Sequence, residues 1–119
     1  MSNTELQRLS TLALRRRQAH LLQALKLPPH LIHASFLERF LKCGRPNCRC
    51  RQGQKHGPFF YLSRCLPERQ MRTLLLKGDA QIRQARRSVE AYQSTLQTLD
   101  QISEINWELL RRGATLPGE

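Results

Sequence analysis

Apolar positions along this chain fall into three kinds of spacing, and each predicts a different element. From Thr4 to Lys26, Leu6, Leu9, Leu12, Leu14, Leu21, Leu22 and Leu25 leave one broad apolar face, with no Gly or Pro inside, which predicts a helix over 4–26. Thr4 with Gln7 three residues on resembles a capping box, and Pro28 and Pro29 end the helix. Arg15, Arg16 and Arg17 interrupt the leucines and project over more than half the helix circumference. At least one of them must lie at the apolar edge, its stem packed and its head reaching water or a partner.

The next spacing is shorter. Ile32, Phe36 and Phe40, four apart, suit a helix, while Phe36, Glu38, Phe40 and Lys42 alternating with Leu37, Arg39 and Leu41 suit an edge strand. Pro58 to Cys65 is rich in aromatics and Met71 to Lys77 is apolar, with Leu66-Pro67-Glu68-Arg69-Gln70 as turn material between them; this predicts a hairpin.

The third spacing is helical again. Gly78 and Asp79 open the element, with Asp79 as N-cap, and Gly113 stops it. Ile82, Ala85, Val89, Tyr92, Leu96 and Leu99 alternate steps of three and four, and Ile102, Ile105 and Leu109 then shift phase by one position. Such a helix over 79–112 is on the order of 45 Å long. A small hairpin cannot cover its seam, so it requires the N-terminal helix, a second copy of itself, or both. An antiparallel helix pair is the favoured arrangement, with coiled-coil dimerisation as the alternative. Residues 113–119 are expected to fray.

At 119 residues and 39% apolar content, the chain has material for one small core and reads as a single domain over 1–119. No apolar run approaches a membrane span and the first ten residues are polar, so a cytoplasmic protein without membrane contact is expected. In that compartment the 4 cysteines are expected to hold metal or stay reduced. The formal net charge is +11, which favours an acidic partner. Its placement sharpens this: residues 1–57 carry +9 and the remainder +2, and Arg39 to Lys55 holds six basic residues and no acid.

That basic stretch contains Cys43-Gly44-Arg45-Pro46-Asn47-Cys48-Arg49-Cys50, followed by Gly53 and by His56-Gly57-Pro58. Cys43, Cys48, Cys50 and His56 place four zinc-type donors within 14 positions, separated by a tight turn and a flexible segment. Three thiolates and an imidazole are a standard structural zinc set, although two ligands only two apart are unlike a common zinc finger. A segment this polar has little apolar surface to order it, and structural zinc contributes on the order of 10 kcal/mol where burial cannot. The plainer alternative is three reduced cysteines in a loop, with His56 capping a turn. Cys65 reads first as a buried, small apolar side chain and second as a replacement for His56. A catalytic thiol is disfavoured because no carboxylate or second His stands near Cys48 or Cys50 to complete a relay. His20, His30 and His33 show no partner pattern.

On these runs the sequence resembles a family of short, uncharacterised bacterial proteins with a CGKPNCRC and HGPYYY zinc-knuckle-like motif, often encoded beside transposases. Ala34 to Arg39, Cys43 to Cys50 and His56 to Ser63 carry the resemblance, which spans about Ile32 to Arg112. The chain departs by Arg45 for the usual Lys, by Phe59 and Phe60 at two of the three aromatic positions, and by a Pro-containing hairpin turn. The resemblance implies a small three-stranded antiparallel sheet, with Ser35 to Lys42 as its first strand and the sheet with its loop over 35–77. The expected fold is therefore α+β: N-terminal helix, zinc-knuckle loop and sheet, long C-terminal helix. The association with mobile elements implies a DNA partner and a transposase-type protein partner.

Arg outnumbers Lys 16 to 4, which suits bidentate contacts to phosphate and guanine. The expected function is that of a basic zinc-binding protein contacting nucleic acid, DNA more than RNA, as an accessory factor of a mobile element. Arg39, Lys42, Arg45, Arg49, Arg51 and Lys55 form one contact surface, and Arg15, Arg16 and Arg17 a second. Phe59, Phe60 and Tyr61 either stack on bases or pack, and strand alternation puts at least one in the core. The competing reading of the arginines is a solvated face. An oligomerising adaptor with a structural zinc knuckle and no nucleic-acid contact is the alternative function. An enzyme is not expected, since no carboxylate pair, phosphate loop or hydrolase triad can be assembled.

Overall fold

The structure, a computed structural model, describes residues 3–41 and 56–118. The elements run α1 (Asn3–Arg8), α2 (Thr11–Ala24), β1 (Ser35–Leu41), β2 (His56–Cys65), β3 (Met71–Leu75) and α3 (Asp79–Arg111). This is the α+β arrangement of N-terminal helices, three-stranded antiparallel sheet and long C-terminal helix. The chain divides into two compact units, Met1–Pro29 with Gln93–Glu119, and His30–Tyr92. Among the described residues no helix is long and apolar enough to cross a membrane.

In the helical unit, the single helix expected over 4–26 is interrupted at Ser10. Ser10 adopts an extended backbone and its hydroxyl accepts from the Ala13 N–H at 3.1 Å, so it caps a new helix instead of continuing the old one. The second helix stops at Ala24, with Leu25 as its C-cap, ahead of Pro28. Leu6, Leu14, Ile105 and Leu109 form the core, flanked by Leu9, Leu21, Ala114 and Leu116. The contacts order themselves antiparallel: Arg112 reaches Thr11, and the Gln18 amide donates to Asn106.

The end of α3 carries a complete Schellman motif. Gly113, at φ +77°, donates its N–H to Leu110, and Ala114 donates to Leu109, both at 2.9 Å. The segment expected to fray is therefore tied down through residue 116: Ala114 and Leu116 join the core, and the Thr115 carbonyl accepts from Arg15 at 3.0 Å. At the other end Gly78, not Asp79, is the capping position, because the Gly78 carbonyl already accepts from Ile82. Asp79 instead supplies a carboxylate to the first turn.

In the second unit, the sheet has the order β1-β2-β3 with both pairs antiparallel. The Leu66–Gln70 connection is a three-residue hairpin loop with bonds from Arg69 N–H to Leu66 O and from Leu66 N–H to Gln70 O. Pro67 supplies the preset φ of its first position. Arg69 takes the left-handed position at φ +62°, where glycine is usual.

One sheet face carries Phe36, Phe60 and Leu62 and packs on Ile82, Ala85 and Val89 of α3, with Leu76 closing the cluster. The Phe36 and Phe60 rings lie 5.6 Å apart, and the Arg86 guanidinium covers Phe36 at 4.8 Å. The phase shift in the α3 sequence thus marks a change in which face of the helix is buried. At 100° per residue, Ile105 and Leu109 fall off the line of Ile82, Ala85 and Val89, whereas that line continues through Leu96, Leu99, Ser103, Trp107 and Leu110.

Candidate metal and nucleic-acid site

The site is built on the ends of two strands. β1 and β2 pair in regular register from Ser35↔Ser63 to Arg39↔Phe59, then shift by one residue so that Leu41 faces His56. The extra residue lies on β2, where Gly57 and Pro58 stand against Phe40 alone, and the bulge brings Gly57 close to the β1 backbone. Gly57 sits at φ +142°, and a Cβ there would stand 2.9 Å from the Arg39 carbonyl oxygen and from Phe40 Cδ1. The glycine of the His-Gly-Pro run is thus demanded by the close approach of β1 backbone.

The consequence is that the last residue of β1 and the first of β2 are direct neighbours. His56, exposed, stands where the chain re-enters the sheet. Cys43, Cys48 and Cys50, together with Lys42, Arg45, Arg49, Arg51 and Lys55, lie outside the described residues. Among the described residues no group of three or more His, Cys, Asp or Glu side chains is placed to hold a metal ion. The donor set of three thiols and an imidazole retains the chemistry of a structural zinc site.

Cys65 stands well apart from His56. It ends the strand that His56 begins, nine residues and about 30 Å of β-strand away. Nor is it buried: its thiol is exposed and donates to the Leu66 carbonyl at 3.7 Å.

The basic residues divide by unit. On α2, Arg15 is half-buried and engaged with Thr115, so it is the arginine at the apolar edge; Arg16 and Arg17 are exposed. On β1, Arg39 is exposed and directly opposite Phe59. The aromatic run alternates: Phe60 enters the core, while Phe59 and Tyr61 lie half-buried on the other sheet face with Arg39 and Leu37. That face therefore offers two rings and a guanidinium in neighbouring positions.

A carboxylate that sequence reading passed over organises the helical unit. Glu108, only 1% exposed, accepts two bonds from Arg111 at 2.8 and 2.7 Å and one from Arg112 at 2.9 Å. The Arg111 hydrogen bond is the chief reason its carboxyl lies at about 2, well below the ordinary 4.5; burial opposes the shift, and Arg112 adds to it. Arg112 also donates to the carbonyls of Leu6, Gln7 and Leu9, satisfying acceptors left over at the end of α1. The spacing of three and four between Glu108 and the two arginines was a signal for this cluster. Its burial was not written in that spacing.

A family model described as a domain of unknown function (DUF6788) matches residues 6–65, from α1 to the end of β2. Comparison with curated proteins and with solved structures finds no significant match.

Proposed function

We propose that this chain, which belongs to the DUF6788 family of domains of unknown function, is a small basic protein that holds structural zinc and binds nucleic acid, DNA in preference to RNA. The observation that carries the reading is the Leu41↔His56 pair, which closes a cysteine- and arginine-rich loop at its base. Cys43 lies only two residues beyond Leu41 in the sequence. Cys43, Cys48, Cys50 and His56 would hold the zinc, which would supply a structural cross-link for segment 42–55. Arg45, Arg49, Arg51 and Lys55 would offset the charge of three thiolates and, with Arg39 and Lys42, contact phosphates. Arg16 and Arg17 form the second patch. We assign no catalytic role.

The test is a fluorescence anisotropy titration with a random duplex at several salt concentrations. Affinity is expected to fall steeply between 50 and 200 mM salt, and Arg45→Ala with Arg49→Ala to weaken binding across sequences and flatten the slope by about 2. Absent or salt-insensitive binding overturns the reading.

A second reading is favoured by a specific feature of α3. Leu96, Leu99, Trp107 and Leu110 are 41%, 46%, 70% and 60% exposed, and with Ser103 they are spaced symmetrically about residue 103. A second copy laid antiparallel pairs Leu96 with Leu110 and Leu99 with Trp107, and the small Ser103 on the axis lets the helices approach. Two-fold, self-complementary pairing of this kind makes the protein an oligomerising adaptor, with or without the nucleic-acid role.

A further inference from the structure

A second cationic site lies in the sheet unit, on strands β2 and β3. The antiparallel register sets Arg64 directly opposite Arg72, so two guanidinium side chains leave the same sheet face side by side. Like charges in this position repel. Among the described residues no acidic side chain pairs with either one. Arg64 Nε is moreover shielded from water and has no hydrogen-bond partner. A buried, unpaired charged donor is costly and calls for an acceptor.

Both arginines line a cavity of about 380 Å³. Its other walls are apolar, from Leu31, Ile32, Leu62 and Leu74, with His33 at one side held by its stack on Tyr92 at 4.5 Å. No acid lines it. The combination is that of a small-molecule site: mainly apolar walls with a few convergent polar groups, at the small end of the usual range. Two planar forks match the oxygens of a phosphate, and their two charges match a phosphomonoester dianion, whereas a carboxylate neutralises only one.

We propose that this cavity binds a phosphomonoester: the phosphate bridges Arg64 and Arg72, Arg64 Nε gains its missing acceptor, and an apolar or aromatic body fills the space against Ile32 and Leu62. Such a group comes either from a free small molecule or from the 5′ end of a nucleic-acid strand. The site uses none of the loop residues assigned above, so it stands whether or not that assignment does.

The test is calorimetric titration and thermal shift of the full chain with phenyl phosphate, inorganic phosphate and a trinucleotide with or without a 5′ phosphate. Phenyl phosphate is expected to bind at least tenfold more tightly than inorganic phosphate and to raise the melting temperature. Arg72→Gln and Arg64→Gln are each expected to cut that affinity at least tenfold, while Arg72→Gln raises the melting temperature of the unliganded protein by relieving the repulsion. Arg45→Ala leaves phenyl phosphate binding unchanged. Tighter binding of the 5′-phosphorylated trinucleotide assigns the site to strand ends, and equal binding assigns it to a free phosphomonoester. The proposal fails if phenyl phosphate binds no better than inorganic phosphate, or if both arginine variants bind it as the wild type does.

Discussion

Gly57→Ala tests the link between the His-Gly-Pro run and the geometry of the loop base. The new Cβ would stand 2.9 Å from the Arg39 carbonyl oxygen and Phe40 Cδ1, and 3.2 Å from Phe40 Cα. The ring edge can rotate, but the carbonyl and Cα belong to the β1 backbone and move only if the pairing opens. Holding a non-glycine residue at φ +142° adds about 1–3 kcal/mol. Together these predict a loss of about 3 kcal/mol, against a total stability of about 6–18 kcal/mol for a chain of this size. With a urea m-value of about 1.5 kcal/mol/M, the midpoint followed by circular dichroism should drop by about 2 M. Hydrogen exchange should place the loss in the β1–β2 amides. Gly78→Ala is the control, because Gly78 has φ +83° and no atom within 4 Å of its added Cβ, so only the backbone cost of about 1 kcal/mol applies. A Gly57→Ala midpoint within about 0.5 M of wild type would refute the argument that close approach fixes this glycine.

In the hairpin, Arg69→Gly should stabilise the protein by about 1 kcal/mol in the same urea assay, since it relieves a left-handed residue at φ +62°. Glu108 titrates below its unfolded value, so its stabilisation is complete above pH 4.5 and is lost as pH falls toward 2. Melting temperature should therefore fall more steeply over that window in wild type than in Glu108→Gln. Trp107→Asp should convert any dimer seen by sedimentation equilibrium to monomer without changing the melting of the isolated chain, and a wild-type protein that is monomeric at 100 μM would refute the pairing. Elemental analysis should give about one zinc per chain, and chelation should abolish nucleic-acid binding while β1–β3 amides stay protected; a metal-free protein that binds nucleic acid as before refutes the zinc assignment.

The residue pattern made the helices and the β2–β3 hairpin legible and left the segment 30–42 open. Leucine spacing and Gly113 located the helices because amphipathic faces and left-handed caps depend on local sequence. Ser10 was invisible as a break, since a serine is tolerated inside a helix and becomes a cap only when the preceding turn ends. Residues 30–42 fitted both periods, and the strand was settled by resemblance. Arg64 and Arg72 could not be seen as a pair from sequence, because their juxtaposition depends on the register set by the Leu66–Gln70 turn. Cys65 is exposed where a buried thiol is expected, because alternation gives the face of a strand residue without saying whether the strand end is covered.

The sheet also changes what the proposed metal has to do. Closing the 14-residue segment 42–55 costs loop entropy whether or not an ion is present. The β1–β2 ladder meets that cost, and the ladder is held by Phe36, Phe60 and Leu62 against Ala85 and Val89, contacts that involve no metal. The base of the loop is thus fixed by apolar packing. The proposed coordination would act on the segment itself, whose two glycines, arginines and lack of any Ala, Val, Ile, Leu, Met or aromatic residue supply no material for a core. Three thiolates on one divalent ion leave a net negative charge, which the cationic residues of the segment would neutralise. On the proposed assignment zinc and arginine would be two parts of one device: the metal would cross-link the segment, and its excess thiolate charge would offset the density of arginine before any phosphate arrives.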